Sequence, residues 1–255
     1  MEKRVSTVEH WDKCWDESNL QYINKITDEL ELLSPAGKIV CEIGAGSGAT
    51  AIKLSELGAK VFCIDYSQKS IDLIKKNAAQ NGASVFCVKA DAFALPFKTE
   101  VFDICYHQGF LEHFRDTSVL LSEQNRILKK KGYLLVDVPQ KYSLYTVKKK
   151  ILIFLGKWFA GWETEFSINR LKKVLGNAGF CTIKSFGRYH IRNIDKIQKH
   201  FLGRTYLSAS LEKLYSRTII SLENSCVGVH TAFAIGVIAR KNNLELKFSC
   251  KNTHC

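Results

Sequence analysis

The stretch KIVCEIGAGSGATAIKLSELGAKVFCID, Lys38–Asp65, sets an acid and three alternating glycines between two apolar runs. Lys38–Ile43 is a solid apolar run and reads as a buried strand that ends at the glycines. Ala49–Leu57 then carries apolar residues at helical spacing, with Gly58 just past its end, and Lys60–Ile64 reads as a second strand. A glycine turn between a strand and a helix is a cradle, because a missing Cβ lets a ligand approach the backbone closely.

The same alternation continues outward. Ser67 caps a helix through Asn77, stopped by Asn81-Gly82; Ser84–Val88 reads as a third strand, Val101–Tyr106 as a fourth and Gly132–Val138 as a fifth. Val119, Leu120, Ile127 and Leu128 mark the helix between the last two. Helix 167–179, strand 180–186 and a final strand 230–240 complete the pattern. Solid apolar strands separated by helices imply a parallel sheet covered on both faces. The expected fold is therefore α/β: a doubly wound, Rossmann-like, seven-stranded sheet, mostly parallel, with the last strand inserted antiparallel. Ligands of such sheets bind beyond the carboxyl ends of the strands. Residues 1–240 read as a single domain with a helical preface at 1–34, cap insertions at 139–166 and 187–225, and a flexible tail at 241–255.

Gly44-Ala45-Gly46-Ser47-Gly48-Ala49 fits both GxGxG and the dinucleotide fingerprint GxGxxA. Asp65 closes the second strand, where a carboxylate accepts the ribose hydroxyls of either an NAD or an S-adenosylmethionine. Three features separate the two. Glu42, two residues before Gly44, would repel a pyrophosphate and suits a cationic amino group. In KADAFALPF, Lys89–Phe97, Asp91 can accept the exocyclic amine of adenine, while Ala92 and Phe93 offer apolar surface to the ring. FDICYHQGFLEHF, Phe102–Phe114, carries the fourth strand into a loop able to wall the far end of the ligand.

With LLSEQNRILKKKGYLLVDVP, Leu120–Pro139, this ordered set resembles the class I S-adenosylmethionine-dependent methyltransferases, most of all their small-molecule and quinone subfamily. The resemblance runs from about Lys38 to Val138 and continues more weakly to Phe180. It implies that Gly44, Ala45, Gly46 and Gly48 line the methionine part of the cofactor, that Glu42 orients its amino group through the loop and that Asp65 holds the ribose. Tyr66 and Ser67 would edge the adenine, Asp91 and Ala92 would recognise it, and His107 and Gln108 would offer backbone groups at the methionine end.

Displacing a methyl group from a sulfonium chiefly requires alignment with the nucleophile, and an oxygen or carbon nucleophile also gives up a proton. His107, Glu112 and His113, on or just after the fourth strand, are the candidate catalytic residues; His113 serves either as base or as scaffold of the loop. The stretch His107-Gln108-Gly109-Phe110 stands where adenine N-methyltransferases of nucleic acids carry an Asn-Pro-Pro-Tyr-like clamp. No nucleic acid is therefore expected as partner, and the acceptor is a small, hydrophobic or aromatic metabolite methylated on O or C, with N as a further option. An RNA or protein methyltransferase, or a non-catalytic S-adenosylmethionine-binding module, are the alternatives.

Composition adds bounds. The chain has 255 residues, with 37 Lys and Arg against 25 acids for a formal charge of +12. Lys129-Lys130-Lys131 and Lys148-Lys149-Lys150 read as solvated helix-terminal clusters. Nine cysteines include no CxxC pair, so no metal is expected; Cys41, Cys63, Cys87 and Cys105 sit in strand runs as small hydrophobes, which fits a cytoplasmic protein. Residues 146–162, basic and then apolar and aromatic, form either a lid, a packed helix or a peripheral contact with an anionic membrane. Trp11 and Trp15, four apart on one helical face, either close over the cofactor or anchor the preface. Arg188, His190, Arg192, Lys196 and Lys199 make a second basic cluster, placed to meet an anionic group or nothing.

Overall fold

The computed structural model describes residues 7–16, 24–158, 163–188, 221, 225 and 227–242. Seven strands form one sheet: β1 Ile39–Ile43, β2 Lys60–Asp65, β3 Val85–Lys89, β4 Phe102–Gln108, β5 Leu128–Pro139, β6 Phe180–Arg188 and β7 Ala234–Lys241. Their order is β3-β2-β1-β4-β5-β7-β6. The first five strands run parallel, and β7 lies antiparallel between β5 and β6. This is the doubly wound, Rossmann-like sheet expected from the alternation, with the last strand inserted antiparallel.

The helices are α1 Val8–Asp16, α2 Asn24–Glu31, α3 Ala49–Glu56, α4 Gln68–Gln80, α5 Ser118–Ile127, α6 Leu144–Phe154, α7 Ile168–Asn177 and the short α8 Gly228–Thr231. Side chains alternate across each strand, so the sheet buries two apolar layers. On one face Cys41, Cys105, Leu134 and Val136 pack with Leu120 and Leu121 of α5 and Leu171 and Leu175 of α7. On the other, Val40, Val61, Ile104 and Leu135 pack with Ile26 and Leu30 of α2, Leu54 of α3 and Ile71 and Ile74 of α4. The buried strand thiols Cys41, Cys63 and Cys105, and the half-buried Cys87, are free cysteines. Among the described residues no helix is long and apolar enough to cross a membrane.

Order reverses between β1 and β4, since β2 leads away on one side and β5 on the other. That reversal opens a crevice at the carboxyl ends of the two strands. Ser67 fixes how α4 leaves the crevice: its hydroxyl accepts from the Ser70 amide at 3.1 Å, an N-cap that contributes about 1 kcal/mol.

The lysine clusters differ from expectation. Leu128 leaves the helix with extended backbone, pairs with Phe102 and starts β5, so Lys129–Lys131 lie in a strand rather than at a helix end. Burying Leu128 in the sheet outweighs extending the helix by one residue, and Lys129 closes on Asp103 at 2.8 Å. Lys149 is buried, not solvated, against Glu163 at 3.2 Å. The final strand begins at Ala234 rather than His230, which belongs to α8. Lys241, expected to open the tail, instead ends β7, where it pairs with Phe180. Residues 189–220 and 243–255, which hold most of the second expected cap, the rest of the tail and four of the five residues of the second basic cluster, lie outside the described residues.

Candidate active site

The glycine turn is tied down from three sides. Gly44 and Ala45 donate to the Ile64 carbonyl at 2.8 and 3.1 Å, the Ser70 hydroxyl donates to the Gly46 carbonyl at 2.8 Å, and the Asn77 amide donates to the Ser47 carbonyl at 2.9 Å. Asp65, at the end of β2, accepts from the Gly46 amide through Oδ2 and from the Ser67 amide through Oδ1, both at 3.0 Å. Burial raises its carboxyl above the ordinary aspartate range, against those amides.

Two of the glycines are required by close contacts. Gly44 has φ 67° and a Cβ there would lie 2.4 Å from the Phe110 ring; Gly46 has φ 54° and a Cβ would lie 2.3 Å from the Trp15 ring. Both contacts are closer than carbon atoms tolerate, and both φ values are strained for other residues.

Above the turn is a cavity of about 150 Å³, lined by Gly44, Asp65, Tyr66, Ala92, Gln108, Gly109, Phe110, His113 and Phe114 together with Trp11 and Trp15 of α1. The Trp11 ring meets His113 edge-on at 4.8 Å, and the Ser67 hydroxyl donates to Asp12. Helix α1 thus lies across the mouth of the crevice.

Beneath the turn, Glu42 pairs in register with Tyr106 on β4 and Cys63 on β2, so all three face the same layer. Its Oε2 is buried without a hydrogen-bond partner. Burial, with the charge of Asp65 adding to it, pushes the Glu42 carboxyl up to about 8. A buried acid with one partnerless oxygen beside a second acid makes the base of the turn a poor neighbour for further negative charge.

The remaining candidates separate. Asp91 is exposed on the loop after β3 and accepts from the Phe93 amide at 3.0 Å. His107 is fully buried in β4 outside the cavity lining; burial pushes its imidazole down to about 3, with the Gln124 amide opposing. Glu112 and His113 belong to a 3-10 turn, Leu111–His113, which segment 163–166 pins: the Thr164 amide donates to the Glu112 carbonyl at 2.6 Å and its hydroxyl to the Phe114 carbonyl at 3.0 Å. His113 faces the cavity, and Glu112 is buried behind it. Among the described residues there is no group of three or more metal-ligating side chains.

One cluster escapes the sequence reading. Arg188 does not reach outward with a basic patch; it is buried and grips Asp137 with two hydrogen bonds, at 2.7 and 3.1 Å. The signal available was Asp137 itself, a lone acid in the apolar run LLVDVP.

Residues 41–136 match the family model described as methyltransferase domain. Fold and glycine turn agree with that match, and over this stretch the chain is similar to class I S-adenosylmethionine-dependent methyltransferases. The chain is 33% identical over 97 residues to a ubiquinone biosynthesis O-methyltransferase of Bartonella tribocorum, covering 38% of this chain and 39% of that one. It is 30% identical over 138 residues to a demethylmenaquinone methyltransferase of Thermus thermophilus, covering 51% and 63%. The match thus spans less than half the length of the Bartonella relative. Among solved structures, the magnesium protoporphyrin IX methyltransferase of Synechocystis, with bound S-adenosylhomocysteine, superposes with a TM-score of 0.57 over 92% of this chain and 93% of that one at 16% identity, a likeness of fold.

Proposed function

We propose that the protein transfers a methyl group from S-adenosylmethionine to an oxygen or carbon of a small hydrophobic or aromatic metabolite. The observation that carries this reading is the pair of acids at the glycine turn: Asp65 on the cavity wall and Glu42 beneath it with an unsatisfied buried oxygen. A ribose and an ammonium group satisfy both acids, whereas a pyrophosphate satisfies neither. When bound, S-adenosylmethionine supplies the electrophilic methyl group. Gly44, on the cavity wall, lets it approach the backbone, Asp65 holds its ribose, Glu42 orients its amino group through the loop, and Tyr66 and Ala92 flank the adenine. His113, the one candidate base on the cavity wall, takes the acceptor's proton, while Phe110, Phe114 and Trp11 exclude water and present apolar surface.

The quinone-directed relatives favour a hydroxylated aromatic acceptor. The test is transfer of labelled methyl from S-adenosylmethionine to a panel of phenols and catechols. Transfer to some members, lost in His113→Ala, is the expected result; cofactor binding with no transfer to any member would favour a non-catalytic module.

A second reading concerns α6. Val147, Ile151, Ile153, Phe154 and Leu155 are exposed there beside the exposed Lys148, Lys150 and Lys157, an apolar and basic face suited to an anionic lipid surface. Co-sedimentation with phosphatidylglycerol vesicles, weakened by salt and by Lys148→Glu with Lys150→Glu, is expected; binding equal on neutral vesicles would contradict it.

A further inference from the structure

Behind the cavity wall lie three buried acids and two buried cations. Arg188 closes on Asp137 and Lys149 on Glu163, each pair almost wholly removed from water. Glu112 is the third acid, 2% exposed, and its Oε2 has no hydrogen-bond partner. An acid in excess of the cations of a dry cluster is cheapest as the neutral carboxyl group. The directions agree: burial pushes the Glu112 carboxyl well above its ordinary range against its own backbone amide, and the charges of Glu163 and Asp137 push the same way while Arg188 opposes.

A neutral carboxyl is a donor as well as an acceptor, and leaving it buried without a partner is unfavourable. Its geometry shows where a partner fits. Gly109 is exposed on the cavity wall with φ 59°, and a Cβ at its position would touch one heavy atom beyond its chain neighbours, Glu112 Oε1 at 3.6 Å. That ordinary contact puts this carboxyl, whose other oxygen Oε2 has no partner, directly behind the glycine. Glycine therefore leaves a window between the cavity and the acid. Resting on the methyltransferase reading above, we infer that Glu112 donates a hydrogen bond through this window to a ring oxygen of the methyl acceptor, selecting phenol- or quinone-type rings. Glu112 is then a specificity-determining residue, next to the base but distinct from it.

The test uses phenol itself as the probe, titrated against the full-length protein saturated with S-adenosylhomocysteine. Glu112→Gln keeps a donor and is expected to bind phenol nearly as the parent does. Glu112→Leu loses the donor and is expected to bind about fivefold more weakly, the worth of one hydrogen bond. Equal affinity in all three proteins, or no saturable phenol binding, overturns the inference. Infrared difference spectra of the parent against Glu112→Gln supply a readout independent of the leucine variant. A protonated-carboxyl band at neutral pH that shifts on adding phenol is expected, and its absence overturns the inference too. Failure to bind S-adenosylhomocysteine at all would instead count against the cofactor reading.

Discussion

The Gly46 amide and the Asp65 carboxylate meet at 3.0 Å, so the glycine turn and the end of β2 are one unit rather than two motifs. Asp65→Ala leaves the Gly46 and Ser67 amides without their acceptor and, on the proposed function, removes the ribose partner. We predict a loss of cofactor affinity of about ten- to hundredfold and of stability of about 1–3 kcal/mol, read by calorimetry and by urea unfolding. Unchanged affinity in a folded variant would remove Asp65 from the site.

Glu42 makes stability depend on pH. Its carboxyl titrates at about 8 in the folded chain, above the ordinary glutamate value near 4.5, so between those limits the folded state holds more protons than the unfolded one. Stability contributed by this group is therefore full at low pH and falls as pH rises through that window. Melting temperatures from pH 5 to pH 8 should fall less in Glu42→Gln than in the parent. Parallel curves would show that Glu42 is not a buried titrating acid.

Trp15 and Gly46 should couple. Gly46→Ala places a Cβ into the indole and also imposes a strained positive φ, which alone costs about 1–2 kcal/mol. Adding Trp15→Ala relieves the clash but not the backbone strain, so the double variant should recover part of the lost stability. Strict additivity of the two changes would mean that α1 does not lie over the turn in solution.

The Asp137–Arg188 pair is a structural liability if half of it is removed. Arg188→Leu strands a buried carboxylate and should cost about 3–5 kcal/mol in chemical unfolding. Asp137→Leu with Arg188→Leu should cost less than the single change, because no charge is left alone. A double variant worse than the single one would contradict this.

The fold was legible because its signals are local. Solid apolar runs such as Lys38–Ile43 and helical spacing in Ala49–Leu57 are fixed by the burial of strands on both faces, and the glycine turn announces itself by composition. The site's near half was legible for the same reason: Gly44, Asp65 and Tyr66 follow one another along adjacent strand ends. Contacts made at long range were not. Lys149 and Glu163, or Asp137 and Arg188, carry no spacing that says they will meet, since each pairing is set by how α6, β5 and β6 pack. Lys129–Lys131 misled because Ile127-Leu128 continues the helical period of α5 even though Leu128 earns its burial by pairing with Phe102.

The cofactor is the claim on which the rest depends. Calorimetric titration of the purified protein with S-adenosylmethionine and, separately, with NAD tests it most directly. Saturable binding of S-adenosylmethionine and none of NAD is the predicted result. Binding of NAD, or of neither, would contradict it.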